Sequence, residues 1–158
     1  MSEWTPPDWW YSETKPSNDS AYFENLTRCV FQAGLNWQVV TKKWKNFRTA
    51  FHNFNIEKVA SFNQDDVNQL ISNSDIIRNR RKIQSTIYNA QEFQRIAKEA
   101  GTFQSWIGSL DKSNNYAKVV RQLTTRFKHV GQMTAHTFLH SVGEEIQYNS
   151  GVYGSHKS

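Results

Sequence analysis

The chain has 158 residues, a formal net charge of +5 and a single cysteine. A chain of this length is expected to fold as one domain, one cysteine excludes an intramolecular disulfide, and no apolar run approaches the roughly 20 residues of a membrane span. We therefore expect a cytoplasmic protein. The surplus of lysine and arginine over acidic residues favours a polyanionic partner such as nucleic acid.

The first 17 residues predict an irregular arm, because prolines interrupt helix formation and restrict the residue before them. The arm carries four large aromatic residues, namely Trp4, Trp9, Trp10 and Tyr11. Aromatic rings pack in cores and also stack on nucleobases. We expect the arm to pack on the body, to line a pocket, or to do both.

The rest of the chain, 18–158, predicts helices and no alternating strand pattern. A first helix, capped by Asn18 or Asp19 and ending at Gly34, turns Cys29 inward. Further helices are expected after the cap residues Asn36, Asn55, Asn63 and Thr102. The expected fold is all-α, with the helices of a single compact domain packed around one core.

Four cations open the longest predicted helix, which ends at Gly101. They are Arg78, Arg80, Arg81 and Lys82. Positive charges at a helix start oppose the helix dipole. Cations that oppose the dipole in this way indicate that they belong to a binding site or pair with an acidic neighbour. Arg80 and Arg81 are therefore candidate contacts for a DNA backbone.

A second basic segment lies near the C-terminus, where 126–135 separates two helical stripes and predicts a helix, a tight turn and a helix. Gly131 is expected where the chain must reverse, since glycine allows a positive φ there, and Arg126 and Lys128 add charge beside the next helix start. The candidate phosphate contacts are Lys128, His129, Val130, Gly131, Gln132 and Thr134. On these residues alone, a DNA-binding hairpin and an ordinary αα-corner both stay open.

Longer stretches carry a resemblance to a known family. Residues 31–37 read Phe-Gln-Ala-Gly-Leu-Asn-Trp, 76–83 read Ile-Ile-Arg-Asn-Arg-Arg-Lys-Ile, and 130–135 follow Val-Gly-x-x-Thr-Ala. In order and spacing they resemble DNA-3-methyladenine glycosylase I, from about Phe23 to Ala90 and again from Phe127 to Gly143. The usual Pro-Gly before the valine is here Lys128-His129.

The resemblance implies a helix-hairpin-helix domain that acts in DNA repair. Such a protein flips an alkylated purine such as 3-methyladenine out of double-stranded DNA and hydrolyses its N-glycosidic bond. We expect a monomer that needs no cofactor. Trp37 corresponds to the tryptophan that lies against the damaged base, so the expected base pocket consists of Trp37, Cys29, Trp4, Trp9, Trp10 and Tyr11.

The chain also departs from the family pattern at two further places. Cys29 stands where the family has a pocket glutamate, and Tyr148 and Val152 stand where C-terminal zinc ligands would fall. We therefore expect no metal site, and His136 and His140 are expected on a partly buried helix face. No catalytic residue is identified. Three functions stay open: a glycosylase with a shifted pocket, a DNA-binding module without turnover, and a helical protein with no DNA role.

Overall fold

The computed structural model describes residues 15–147, whose regular elements are eight α-helices and a short 3-10 helix at His52–Phe54, with no strand among them. The four arm aromatics, Tyr148 and Val152 lie outside the described residues, so the predictions about them and about the arm stay predictions. The helices are α1 (Asp19–Gln32), α2 (Trp37–Ala50), α3 (Ile56–Ala60), α4 (Gln64–Ser72), α5 (Arg80–Ala100), α6 (Phe103–Ser109), α7 (Ser113–Arg126) and α8 (Gln132–Ser141). The all-α prediction is confirmed.

Polar cap residues set most of the helix starts, as the sequence predicts. The Asn18 side chain accepts the Ala21 N–H at 2.9 Å, and Asn63 and Asp66 form a reciprocal capping box with bonds of 3.0 and 2.8 Å. Each such bond satisfies an N–H that the helix itself leaves unpaired. The long helix begins at Arg80, because Asn79 caps it.

Helix α5 is the centre of the fold and contacts α1, α3, α4 and α6. Phe93 on its buried face lies 4.5 Å from the Phe103 ring, 5.5 Å from Phe23 and 5.4 Å from Phe127. Nine of the ten phenylalanines are buried, and Phe62 packs against them. Phenylalanine therefore serves the core and not a nucleobase surface.

A buried carboxylate fastens the two ends of the described chain to each other. Glu144, just after α8, accepts a hydrogen bond from the Tyr116 hydroxyl at 3.1 Å and pairs with the Lys15 ammonium at 3.1 Å. The Lys15 ammonium also donates to the Gly143 carbonyl. These residues border a cavity of about 450 Å³ beside α6.

No helix of the described segment is both long enough and apolar enough to cross a bilayer.

Candidate functional site

The turn between α7 and α8 is anchored at both ends and exposed in the middle. Phe127 and Val130 bury their side chains in the core, while Lys128, His129 and Gly131 are exposed. Burial of the two flanking apolar side chains fixes the turn on the body. Val130 can therefore offer a ligand only its backbone.

Helix α5 holds this turn through one side-chain amide. Asn89 accepts the Lys128 N–H at 2.8 Å and donates to the Lys128 carbonyl at 3.1 Å, and it is itself buried. Sequence reasoning did not single out Asn89 as a site residue. An amide in the middle of a helix, next to the core position Ala90, was the available signal, because such a residue needs a buried partner.

The left-handed residue of the turn is not the one the sequence indicated. His129 has φ +60°, whereas Gly131 is extended, with φ −83° and ψ −177°. The sequence placed the reversal at Gly131, whereas the left-handed residue lies two positions earlier, and Gly131 does not use the positive φ that glycine allows. A Cβ at Gly131 would meet nothing within 4 Å. The interior of the protein therefore does not require glycine there.

Gly131 is the N-cap of α8 and has no side chain to cap it. The first-turn N–H groups thus begin a helix at the exposed turn, the arrangement that attracts anions. Of the other candidates on this helix, Gln132 is exposed and Thr134 is partly buried.

A groove of about 490 Å³ runs between the turn and the start of α5. Its lining consists of Arg81, Gln84, Ser85, Lys128 and His129. The Lys128 ammonium lies 4.4 Å from the centre of the Tyr88 ring, which holds the charge beside the groove. Within the described part of the chain, the lining includes cations and no carboxylate. Its charge suits a phosphate.

Arg126 does not add its charge to this groove, contrary to the sequence-based expectation. Its guanidinium donates to Glu92 through Nε and to both Glu99 oxygens at 2.9 Å through Nη1 and Nη2. A bidentate pair of this kind holds the guanidinium in place and neutralises it. Arg126 therefore acts within the fold.

The cations at the start of α5 divide into one buried lysine and three exposed arginines. Lys82 is 8% exposed, and its ammonium donates to the Ala33 carbonyl at 2.8 Å and to the Phe31 carbonyl at 3.3 Å. Burial lowers the pKa of Lys82. Its neighbour is the C-terminal end of α1, whose negative dipole pole favours a cation.

The other three cations, Arg78, Arg80 and Arg81, are exposed. Within residues 15–147 none of them takes part in an ion pair. Unpaired cations beside the groove extend its positive surface toward the start of α5.

Lys82 also holds the α1–α2 connection against the start of α5. It binds the last carbonyls of α1 while its helix neighbour Arg81 lines the groove. In the connection, Leu35 is 42% exposed, and on α2 Val39 is 44% exposed. Large apolar side chains are seldom left in water without a partner surface when they cluster. Sequence reasoning did not identify Leu35 as a site residue. The available signal was its position between Gly34 and the helix cap Asn36, in a connection where an apolar side chain is exposed.

Trp37 lies between Leu35 and Val39 in the sequence and is the first residue of α2. Asn36 caps the helix by accepting the Gln38 N–H at 2.8 Å. The indole is partly exposed, and the buried core of the described residues does not include it. The available surface of the indole is consistent with a contact to a ligand. Its role at a flipped base stays a prediction.

Cys29 is 2% exposed and lies near Ser141 of α8. Burial raises the pKa of the thiol to about 12. Cys29 is therefore protonated at neutral pH and offers a ligand no negative charge. Its membership of a base pocket stays a prediction.

Metal ligands do not converge in the part of the chain that the structure describes. Across 15–147, no group of three or more histidine, cysteine or carboxylate side chains could hold an ion. His136 is buried and His140 is partly buried on α8, as the sequence predicts.

The sequence is similar to that of known methyladenine glycosylases. The family model for methyladenine glycosylase matches residues 8–126 and ends at Arg126, directly before the turn. DNA-3-methyladenine glycosylase 1 of Escherichia coli (strain K12) is 37% identical over 111 residues, which are 70% of this chain and 58% of that protein. DNA-3-methyladenine glycosylase of Haemophilus influenzae is 29% identical over 148 residues, covering 82% of this chain and 80% of that one.

The fold agrees with the sequence comparison. A crystal structure of 3-methyladenine DNA glycosylase I superimposes with a TM-score of 0.72 at 29% identity, over 83% of this chain and 82% of that one. The family model covers well over half of the chain, including α1, the α1–α2 connection and the cationic start of α5. The chain is therefore a member of the methyladenine glycosylase family.

Proposed function

We propose that this protein is a monofunctional DNA glycosylase that flips 3-methyladenine, or a similar alkylated purine, out of double-stranded DNA and hydrolyses its N-glycosidic bond. The named relatives support the reaction. The observation that carries the proposal is the cationic groove between the α7–α8 turn and the start of α5. The Lys82 ammonium donates to the Ala33 carbonyl and so holds the exposed α1–α2 connection against the same helix start.

The groove and the exposed α1–α2 connection each suit one step of the reaction. Phosphates would bind in the groove at Arg81 and Lys128, and at the uncapped start of α8. Such contacts position a protein on DNA without reading sequence. We assign backbone contacts to these residues and to Arg80, His129, Gln132 and Thr134.

The exposed connection suits the extruded nucleotide. Apolar side chains that enter a base step unstack it, and Leu35 has the exposure for that role. Stacking on an aromatic ring is worth about 1–3 kcal/mol per base, so Trp37 could hold a flipped base. An N3-alkylated adenine is cationic and departs readily. Flipping and positioning can therefore supply much of the catalysis without a strong general base.

One observation favours a second candidate, a lesion-binding protein without turnover. Cys29 occupies the place of the family's pocket glutamate and, with its pKa near 12, supplies no negative charge. A glycosylase profits from negative charge near the developing sugar cation. A chain that lacks such a charge would bind alkylated DNA and release nothing.

Incubation with methylated duplex DNA, followed by chromatography of the released bases, decides between the two. We expect free 3-methyladenine, and no base from undamaged duplex of the same sequence. Binding that prefers methylated duplex, with no base released, would establish the second candidate. No binding to either duplex would overturn both. Elemental analysis of the same preparation should find no stoichiometric zinc.

The remaining expectations follow from a DNA substrate. We propose that the protein acts as a monomer, because one DNA strand needs only one groove and one base site. We propose a cytoplasmic location, which agrees with the single cysteine. Sedimentation of the protein with and without duplex would test the monomer.

A further inference from the structure

We propose that His129 is a proton-dependent phosphate ligand, so that DNA binding strengthens as the solution becomes more acidic. The imidazole is neutral in the free protein and takes up one proton when a phosphate enters the groove. This inference rests on the proposed function, since it concerns the same groove. It adds a titratable contact at a position where the family pattern has glycine.

The hydrogen bonds around Ser85 fix the tautomer of the neutral imidazole. The Ser85 hydroxyl donates its one hydrogen to the Arg81 carbonyl at 2.7 Å. The Ser85 oxygen also lies 2.8 Å from His129 Nδ1. The arrangement that satisfies both contacts of the Ser85 oxygen has Nδ1 carrying the proton and donating to Ser85. His129 Nε2 therefore holds the lone pair and is the atom that gains a proton.

The described groups that act on the imidazole are cations. From α5, Arg81 and Lys82 act on it, and Lys128 of the turn lines the same groove. Among the described residues, the groove lining includes no carboxylate. Burial, Arg81 and Lys82 hold the pKa of His129 below its usual value. A bound phosphate would reverse the local field and favour the imidazolium.

The backbone explains why the side chain stays in place. His129 has φ +60°, a conformation that costs most residues energy and that glycine adopts freely. Asn89 holds the preceding residue, Lys128, through two hydrogen bonds. The bond to Ser85 then orients the ring. His129 is therefore held through the backbone of Lys128 and through its own ring, which lies at the cationic groove.

The direction of the pH dependence follows from these pKa values. Above the pKa of the DNA-bound state, the imidazole stays neutral and contributes no charged contact. As pH falls through that pKa, binding takes up a proton and tightens. Below the pKa of the free protein, the ring is already charged and the gain levels off. One charge-assisted hydrogen bond corresponds to an affinity gain of about tenfold.

The test measures the affinity of the whole protein for a short undamaged duplex from about pH 5.5 to 8.5 at fixed ionic strength. Two variants serve as controls: His129→Asn tolerates the left-handed backbone and can still bond to Ser85, and His129→Gly removes its strain. Neither titrates. We expect the wild type to bind about tenfold more tightly at the acid end, and both variants to lose that gain.

A second readout separates a phosphate contact from a merely structural role. At the acid end, the plot of log affinity against log salt should be steeper by about one unit for the wild type than for His129→Asn, and equal for both at the alkaline end. Equal slopes throughout, or a pH dependence that persists in both variants, would overturn the inference. Absence of duplex binding at any pH would instead overturn the proposed function.

Discussion

Trp37 is the residue on which recognition of the base depends in the proposed function. It is partly exposed at the start of α2 and lies outside the buried core. We expect Trp37→Ala to reduce the preference for methylated over undamaged duplex by about 5- to 150-fold, the equivalent of about 1–3 kcal/mol of lost stacking. Competition binding with the two duplexes measures it.

Trp37→Phe is the matched control, because it keeps an aromatic face of smaller area. It should retain most of the preference, and both variants should unfold at nearly the wild-type urea midpoint. A Trp37→Ala protein that loses several kcal/mol of stability, on the scale of an emptied core site, would make the indole a packing residue instead.

Asn89 and Lys82 are residues whose partners no sequence window contains. Asn89 binds backbone 39 residues away at Lys128, and Lys82 binds carbonyls at Phe31 and Ala33. The sequence predicted a basic start of α5 and marked it as an exception to the dipole rule. Only the packed structure shows that one of the four cations serves the end of α1 while the other three stay exposed.

At the scale of elements, the turn between α7 and α8 is the proposed phosphate contact. We expect Lys128→Gln to weaken binding to duplexes of any sequence and to reduce the slope of log affinity against log salt by about one unit. The reason is that one fewer counterion is released when the complex forms. Fluorescence anisotropy over a salt series measures the slope.

Lys118→Gln is the control for net charge. It lies on the same helix, α7, roughly 12 Å along the axis from Arg126, and already pairs with Asp111. This variant should leave the slope unchanged. If both lysine variants lowered the slope equally, binding would depend on net charge and the turn would have no special part.

Gly131→Ala tests the start of α8 without disturbing the interior. A Cβ there meets no atom of the protein within 4 Å, and the backbone is extended. We expect the free energy of unfolding to change by less than about 1 kcal/mol, and duplex binding to weaken because a methyl group would stand where a phosphate approaches. Unchanged binding would remove this helix start from the interface.

For the whole molecule, titratable groups with shifted pKa values predict the pH range of greatest stability. Burial lowers the pKa of His136 and, together with Arg81 and Lys82, that of His129, so the unfolded chain takes up protons first as pH falls. Stability should therefore decline below about pH 6.5. Burial raises the pKa of Cys29 from 9.0 to about 12, so the unfolded thiol ionises first and stability should decline above about pH 9.

Urea unfolding followed by tryptophan fluorescence between about pH 5 and 10.5 measures this profile. His136→Gln should flatten the acid side, and Cys29→Ala should flatten the alkaline side. A profile that is level from end to end would show that these groups are solvated in the folded protein.

The sequence by itself determined the helices, their cap residues, the all-α class and the family. Each of these depends on neighbours a few residues apart or on a motif read along the chain. Asn18, Asn36, Asn55 and Asn63 cap the predicted helices because a short polar side chain at that place reaches its own helix N–H groups. The apolar periodicity likewise predicted the buried faces.

Only the tertiary structure decided how charge is distributed over the candidate site. Arg126 looked available in sequence, yet Glu92 and Glu99 of α5 neutralise it. The left-handed residue proved to be His129 and not Gly131, because the anchoring of Phe127 and Val130 sets where the chain turns. Ion pairs and turn geometry depend on distances between segments far apart in the chain, and those distances exist only after the helices pack.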